Sequence, residues 1–152
     1  MERKAMLLVM DGWGNGKVPG ADAVQAANTP FFDSLYGKYP YAELVTCGEA
    51  VGLPEGQMGN SEVGHLNLGA GRIVYQELQR INIAIRDGEL KSSPVFQEAL
   101  NLAKKTGKTL HFIGLVSDGG VHSHINHLKA LLDLAQEASC PNVAVHAFTD
   151  GR

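Results

Sequence analysis

The stretch 109–148 reads TLHFIGLVSDGGVHSHINHLKALLDLAQEASCPNVAVHAF, and in it two apolar segments flank an amphipathic one. The apolar segments, 109–116 and 143–148, have the length and composition of buried strands. Between them, 124–138 repeats apolar residues at helical spacing: Leu128, Leu131, Leu132 and Ala135. A strand, a helix and a strand in this order predict a βαβ unit with parallel strands and a right-handed crossover. The chain is therefore expected to have an α/β fold.

The residues before this unit predict further helices and strands. Apolar stripes and stop signals predict helices over 77–87, from Pro94 to about Gly107, and from Pro30 to about Gly37, the latter two with Pro at their first position. The continuous apolar run 5–10 has the pattern of a strand buried on both faces of a parallel sheet, and 41–46 is a second candidate strand.

A long loop rich in glycine, 47–60, leads to the run Gly59-Asn60-Ser61-Glu62-Val63-Gly64-His65-Leu66-Asn67-Leu68-Gly69-Ala70-Gly71-Arg72. Gly56 and Gly59 let the backbone adopt positive φ and pass close to a ligand. Ser61 is expected at a helix start, where backbone N–H groups and the helix dipole favour an anion. Two interpretations stay open on spacing alone. Ser61 is either a nucleophile or phosphate carrier, or an ordinary helix N-cap.

Asp11 follows the first apolar run and precedes Gly12. The carboxyl ends of parallel strands are where open α/β sheets carry ligand chemistry, so Asp11 is a candidate functional residue. The alternative is that Asp11 only makes an Asx turn with Gly12, since Asp-Gly turns are very common.

Composition limits the possible partners. The net charge is −3 and the basic residues are scattered, so neither nucleic acid nor an acidic membrane surface is expected. The two cysteines, Cys47 and Cys140, have no metal-type spacing and fit a reducing compartment. The apolar run near the N-terminus is too short for a signal peptide or a membrane span, so the sequence predicts a cytoplasmic protein.

The run GNSEVGHLNLGAGR resembles the phosphoserine segment of the cofactor-independent (2,3-bisphosphoglycerate-independent) phosphoglycerate mutases, of the alkaline-phosphatase-like superfamily. Met10-Asp11-Gly12-Trp13-Gly14, the run 114–124 (GLVSDGGVHSH) and 148–152 (FTDGR) resemble the same family, in the same order. Chains of that family are much longer. The resemblance therefore implies the N-terminal portion of such an enzyme, and an inactive truncated fragment is the rival interpretation for the molecule in hand.

The resemblance implies a parallel-sheet, alkaline-phosphatase-like segment over 1–76, which binds metal, and then the first part of an inserted α/β transferase domain over 77–152. The implied reaction interconverts 3-phosphoglycerate and 2-phosphoglycerate through a phosphoserine on Ser61. Two Mn²⁺ ions are implied, with Mg²⁺ possible, and Asp11 and Ser61 serve one of them. His122 and Arg152 are implied to bind substrate. No 2,3-bisphosphoglycerate is needed, and the full-length enzyme is expected to be a monomer.

Two alternatives concern the same residues. His122, His124 and His127 also resemble the histidine clusters of zinc metallohydrolases, although Asn126 stands where that motif has an acidic residue. On a helix His124 and His127 would share one face, as a solvated or hydrogen-bonded pair. Another alkaline-phosphatase-like phosphatase or phosphotransferase is the second enzyme interpretation. His65 and His146 are assigned no role.

Overall fold

The computed structural model describes residues 4–151, and these form two compact units, one up to Val45 and one from Thr46 onward. In the first unit, the helices are α1 (Ala23–Ala26) and α2 (Pro30–Lys38), preceded by a short 3-10 turn at Pro19–Ala21. Asp22 caps α1 by accepting hydrogen bonds from the N–H groups of Val24 and Gln25. Helix α2 begins at Pro30 as predicted and continues one residue past Gly37.

The second unit has four helices and two strands among the described residues. Their bounds are α3 (Ser61–Ala70), α4 (Glu77–Arg86), α5 (Pro94–Thr106), β1 (Leu110–Val116), α6 (Ile125–Glu137) and β2 (Val143–Thr149), with 3-10 turns at Gly48–Val51 and Glu89–Ser92. Helix α5 ends at Gly107 in the left-handed conformation. Each predicted helix of this unit is thus present within a residue or two of its expected bounds, and the α/β fold class is confirmed.

Strands β1 and β2 pair in parallel, with Leu110 opposite Val143 and Val116 opposite Thr149. One face of this pair packs on α5 and α6, where the core is formed by Leu100, Leu134 and Ala135. Leu110 and Phe112 of β1 contact this core, whereas Ile113, the next residue of the strand, is exposed. The predicted parallel βαβ unit is therefore confirmed, and it carries the loop 117–124 at the carboxyl end of β1.

The predicted strands at 5–10 and 41–46 are not strands in the described part of the chain, so the parallel sheet expected for the first segment is absent there. A strand exists only when its backbone pairs with a neighbour. Within residues 4–151 neither run has such a partner, and Met6, Leu7 and Leu8 are 91%, 75% and 76% exposed. The unit boundary after Val45 is a division by compactness, and the domain boundary at 76/77 stays a prediction.

Within residues 4–151, no helix combines the length and the apolar character that crossing a membrane requires. Cys47 and Cys140 are both free thiols.

Candidate functional site

The loop before Ser61 is folded tightly upon itself. Cys47 and Met58 form an antiparallel bridge, and Gly48 N–H donates to the carbonyl oxygen of Gln57 at 3.0 Å. Gly56 has a φ of +78°. Gly59 is different, because a Cβ on it would lie 1.8 Å from the Thr46 carbonyl oxygen. Gly56 thus supplies the expected positive φ, while Gly59 allows two backbone segments to approach each other closely.

Ser61 is the first residue of α3, and the N-cap is its neighbour Asn60. The Asn60 side-chain oxygen accepts a hydrogen bond of 2.9 Å from the Val63 N–H group. The interpretation of Ser61 as the cap is therefore wrong. Its hydroxyl is exposed at a helix N-terminus whose first N–H groups have no partner within the helix. This is the position that favours an anion, a phosphate included.

His65 lies one helical turn after Ser61 and contacts it twice. Its Nδ1 atom is 2.7 Å from the Ser61 carbonyl oxygen and 3.2 Å from Ser61 Oγ. Because a carbonyl oxygen can only accept, Nδ1 carries a proton and donates it. A protonated Nδ1 cannot take the proton of the serine hydroxyl. His65 therefore orients Ser61 without acting as its general base, and activation has to come from another group.

Asp11 occupies a turn of the first unit. Trp13 N–H donates to the Met10 carbonyl oxygen at 3.0 Å, and Gly12 has a φ of +79°. A backbone turn with Asp11 and Gly12 at its centre is therefore present, and it leaves the Asp11 side chain exposed. Trp13 packs edge to face on Phe32 with ring centroids 4.9 Å apart. The hydrogen bond of this turn joins backbone atoms only, so it is not the Asx turn of the alternative and it does not engage the Asp11 carboxylate.

The loop that carries His122 folds back over the end of β1. Ser123 Oγ donates to the Leu115 carbonyl oxygen at 2.8 Å, and Ile125 N–H donates to the Ser117 carbonyl oxygen at 2.7 Å. Ser117 Oγ also donates to the Asp150 carboxylate at the end of β2. These bonds fix the ends of the two strands to each other. His122 thus projects from a loop with a defined backbone.

Gln57 joins the Ser61 loop to the His122 loop. Its Nε2 atom donates to the Gly120 carbonyl oxygen at 2.9 Å. Gly120 has a φ of +65°, and a Cβ there would lie 3.7 Å from the His124 ring and 3.9 Å from Gln57 Nε2. The two segments with candidate residues Ser61 and His122 are therefore linked by a direct hydrogen bond within the second unit.

A cavity of about 350 Å³ opens beside the His122 loop. It is lined by apolar residues of β1 and α6 and by the polar residues His122, Ser123, His124 and His127. His124 caps α6, since its Nδ1 accepts from the Asn126 N–H group at 3.2 Å. The Nε2 atom of a neutral His124 therefore carries the proton and is a donor. His127 is partly buried, and burial, with a smaller effect of nearby His124, lowers its pKa.

The described residues gather no cluster of three metal-ligating side chains, so the zinc-hydrolase alternative has no preformed site in this part of the chain. Asp11 and Ser61 both present hard oxygen atoms, the donor type that Mn²⁺ and Mg²⁺ prefer. Their donor type therefore suits the implied metal ion. These two residues supply only two donor groups to it. Asp11 lies in the first unit and Ser61 in the second.

Arg152 lies outside the described residues, so its assignment stays a prediction. Three residues of the site were missed from sequence: Gln57, His65 and Asn82, which contacts His127. His65 follows Ser61 by four residues in a predicted helix, which would have been enough to suggest contact. The contacts of Gln57 and Asn82 join residues 63 and 45 positions apart, and no local pattern predicts them.

Comparisons with known proteins support the sequence resemblance. Residues 81–152 match a family model described as the BPG-independent PGAM N-terminus. The chain is 56% identical over 152 residues to a 2,3-bisphosphoglycerate-independent phosphoglycerate mutase of Flavobacterium johnsoniae, and 55% identical to that of Flavobacterium psychrophilum. All of this chain aligns, with 30% of each relative.

The chain matches the N-terminal portion of the 2,3-bisphosphoglycerate-independent phosphoglycerate mutases. A crystal structure of Leishmania mexicana phosphoglycerate mutase at low cobalt concentration agrees with this, with a TM-score of 0.59 and 42% identity over 86% of this chain and 24% of that one. These phosphoglycerate mutase relatives are, by name, independent of 2,3-bisphosphoglycerate. The chain spans about 30% of the length of the curated relatives it matches.

Proposed function

We propose that this chain carries the nucleophile and one side of the substrate site of a phosphoglycerate mutase that interconverts 3-phosphoglycerate and 2-phosphoglycerate. The observation that carries the proposal is Ser61. Its hydroxyl is exposed at the first position of α3, while Asn60 provides the cap. The relatives named as phosphoglycerate mutases support the substrate class.

Ser61 Oγ is the proposed phosphoryl acceptor. In the first step the bond between phosphorus and the substrate oxygen breaks, a bond to Ser61 Oγ forms, and the proton of Ser61 ends on the released glycerate oxygen. In the second step the other hydroxyl of the bound glycerate takes the phosphoryl group back, the bond between phosphorus and Ser61 Oγ breaks, and the proton of that hydroxyl ends on Ser61. The N-terminus of α3 favours the negative phosphoryl oxygens in both steps.

Asp11 and Ser61 are the proposed ligands of one divalent ion, with Mn²⁺ expected and Mg²⁺ as an alternative. When bound, such an ion lowers the pKa of the serine hydroxyl and neutralises charge on the phosphoryl group. This supports the inference from His65, whose protonated Nδ1 leaves the hydroxyl without a base. The Leishmania mexicana phosphoglycerate mutase was crystallised at low cobalt concentration, which also favours a divalent metal.

His122 and Arg152 are the proposed substrate contacts. A histidine donor and an arginine fork both suit phosphate or carboxylate oxygens. The hydrogen bond from Gln57 to Gly120 would keep the His122 loop in register with the Ser61 loop. We place the activity in the cytoplasm, and we expect a monomer at full length.

The test uses a fusion in which this chain replaces the matching segment of the Flavobacterium johnsoniae relative. The fusion is expected to interconvert the two phosphoglycerates without added 2,3-bisphosphoglycerate. Ser61→Ala should abolish turnover, whereas Ser92→Ala should not, because Ser92 Oγ lies on an exposed turn and, among residues 4–151, donates only to the Glu89 carbonyl oxygen. Full activity of Ser61→Ala would overturn the proposal.

A further inference from the structure

A chain of side-chain hydrogen bonds runs from Glu49 to His127. Gln79 Nε2 lies 2.7 Å from Glu49 Oε1, and Asn82 Nδ2 lies 3.1 Å from Gln79 Oε1. His127 Nε2 lies 2.7 Å from Asn82 Oδ1. These hydrogen bonds connect the 3-10 turn Gly48–Val51, helix α4 and helix α6. Gln79, in its middle, is 2% exposed.

The Glu49 carboxylate determines which group donates in each of these hydrogen bonds. A carboxylate oxygen can only accept, so Gln79 must present its NH₂ group to Glu49 and its oxygen to Asn82. Asn82 then presents its NH₂ group to Gln79 and its oxygen to His127. An amide oxygen can only accept, so His127 donates from Nε2.

The Glu49 carboxylate is itself held in place. Arg86 Nη1 lies 3.2 Å from Glu49 Oε1 in an ion pair between exposed side chains. The pKa of Arg86 is raised, first by its hydrogen bond with Asp87 and further by the charges of Asp87 and Glu49. The charged guanidinium therefore faces Glu49 Oε1, the same oxygen that lies 2.7 Å from Gln79 Nε2.

Since Nε2 carries the proton, Nδ1 of a neutral His127 is bare and can accept a hydrogen bond. Burial lowers the pKa of His127 and so disfavours the protonated ring. Its titratable neighbours at the cavity are His124 and His122, and the charged pair Glu49–Arg86 lies at the far end of the amide chain. Among the described residues, Nδ1 has no hydrogen-bond partner.

We propose that His127 is a binding residue that accepts a hydrogen bond from a ligand hydroxyl, and that Glu49, Gln79 and Asn82 are positioning residues that lock it as the Nε2–H tautomer. Unprotonated phosphate and carboxylate oxygens only accept, so they cannot form a hydrogen bond with a bare nitrogen. His124 offers a donor from the same cavity, so the two histidines select opposite groups.

A ligand with both a hydroxyl and anionic oxygens fits this pair of histidines. Phosphoglycerate is such a molecule, and this identification of the ligand rests on the proposed function. The tautomer itself does not depend on it, because the hydrogen-bond chain exists without ligand.

The first experiment reads the tautomer by long-range ¹H–¹⁵N correlation on the histidine-labelled chain, with the His127 resonances assigned from the His127→Gln variant. Nδ1 is expected to resonate as a bare nitrogen and Nε2 as N–H. Asn82→Asp should raise the pKa of His127 and protonate both nitrogens, because a carboxylate replaces the amide. Glu77→Gln is the control on the same helix, since Glu77 bonds only exposed Arg80. An Nδ1–H tautomer in the unchanged chain overturns the proposal. If the isolated chain shows random-coil chemical shifts, the same measurement is made on the fusion, and the same results support or overturn the proposal.

The second experiment measures KM for 3-phosphoglycerate in the fusion. His127→Leu removes the acceptor and is expected to raise KM about tenfold, the effect of leaving one buried hydroxyl unpaired. His127→Gln keeps an acceptor oxygen and a donor toward Asn82, so it should stay within about threefold. Equal KM values for His127→Leu and the unchanged fusion overturn the hydroxyl contact. A fusion with the expected tautomer and no mutase activity instead contradicts the proposed function alone.

Discussion

Gly59 is the position where one added methyl group should do the most damage to the site. In a Gly59→Ala chain the new Cβ starts 1.8 Å from the Thr46 carbonyl oxygen, while ordinary contacts begin at 3.4 Å. The two atoms must part by about 1.6 Å, and neither belongs to a flexible side chain. Overpacking of this kind costs about 3 kcal/mol of unfolding free energy. The loop that delivers Ser61 would be displaced with it.

Gly64→Ala is the matched control, because Gly64 lies inside α3 and a Cβ there meets nothing within 4 Å. Alanine in a helix interior is more stable than glycine by about 0.5 to 1 kcal/mol. The two variants should therefore differ by about 3.5 to 4 kcal/mol.

Urea unfolding followed by circular dichroism measures this difference. With a slope of about 1.5 kcal/mol per molar urea, the Gly59→Ala midpoint should fall by about 2 M and the Gly64→Ala midpoint should rise slightly. If the unchanged chain has less stability than this, Gly59→Ala should be unfolded before urea is added, while Gly64→Ala is folded. Equal midpoints for the two variants would refute the close backbone contact.

Three further outcomes are expected. Mn²⁺ should quench the fluorescence of Trp13, the single tryptophan. Asp11→Ala should weaken Mn²⁺ binding about tenfold or more, while Asp33→Ala, on the exposed start of α2, should leave it unchanged. Unchanged Mn²⁺ affinity in Asp11→Ala counts against the metal role. In the fusion, His122→Ala should lose mutase activity and keep its manganese, and loss of a metal equivalent would instead favour the histidine-cluster alternative. The chain alone should be inactive with Mn²⁺ and 3-phosphoglycerate and prone to aggregate, because Met6, Leu7 and Ile113 are exposed; turnover near that of a complete mutase would contradict this.

Sequence predicted the locally determined elements well. Helix α5 illustrates this, because Pro94, the apolar stripe and Gly107 specify the start, face and end of this helix of 13 residues. The parallel pair β1–β2 was also predictable, since a strand, helix and strand in sequence leave few arrangements. The prediction of strands at 5–10 and 41–46 was wrong, because strand pairing depends on a partner segment that a local pattern does not specify.

The site divides in the same way. Ser61 was a candidate from its place after a glycine-rich loop, His122 was assigned from the family resemblance, and both roles stay predictions; their loops are linked through Gln57. The tautomers of His65 and His127 could not be predicted, because each follows from the position of an acceptor oxygen beside the ring. For His127, that geometry comes from residues on three separate elements.

The most direct test of the central claim is to locate the phosphoryl group. The fusion is mixed with 3-phosphoglycerate, quenched, digested with trypsin and analysed by mass. The tryptic peptide 39–72 contains one serine, Ser61, so a phosphoserine on it has a single assignment. We expect phosphate on this peptide in the unchanged fusion and none in Ser61→Ala. Phosphate on another peptide, with 39–72 unmodified during turnover, would contradict Ser61 as the nucleophile.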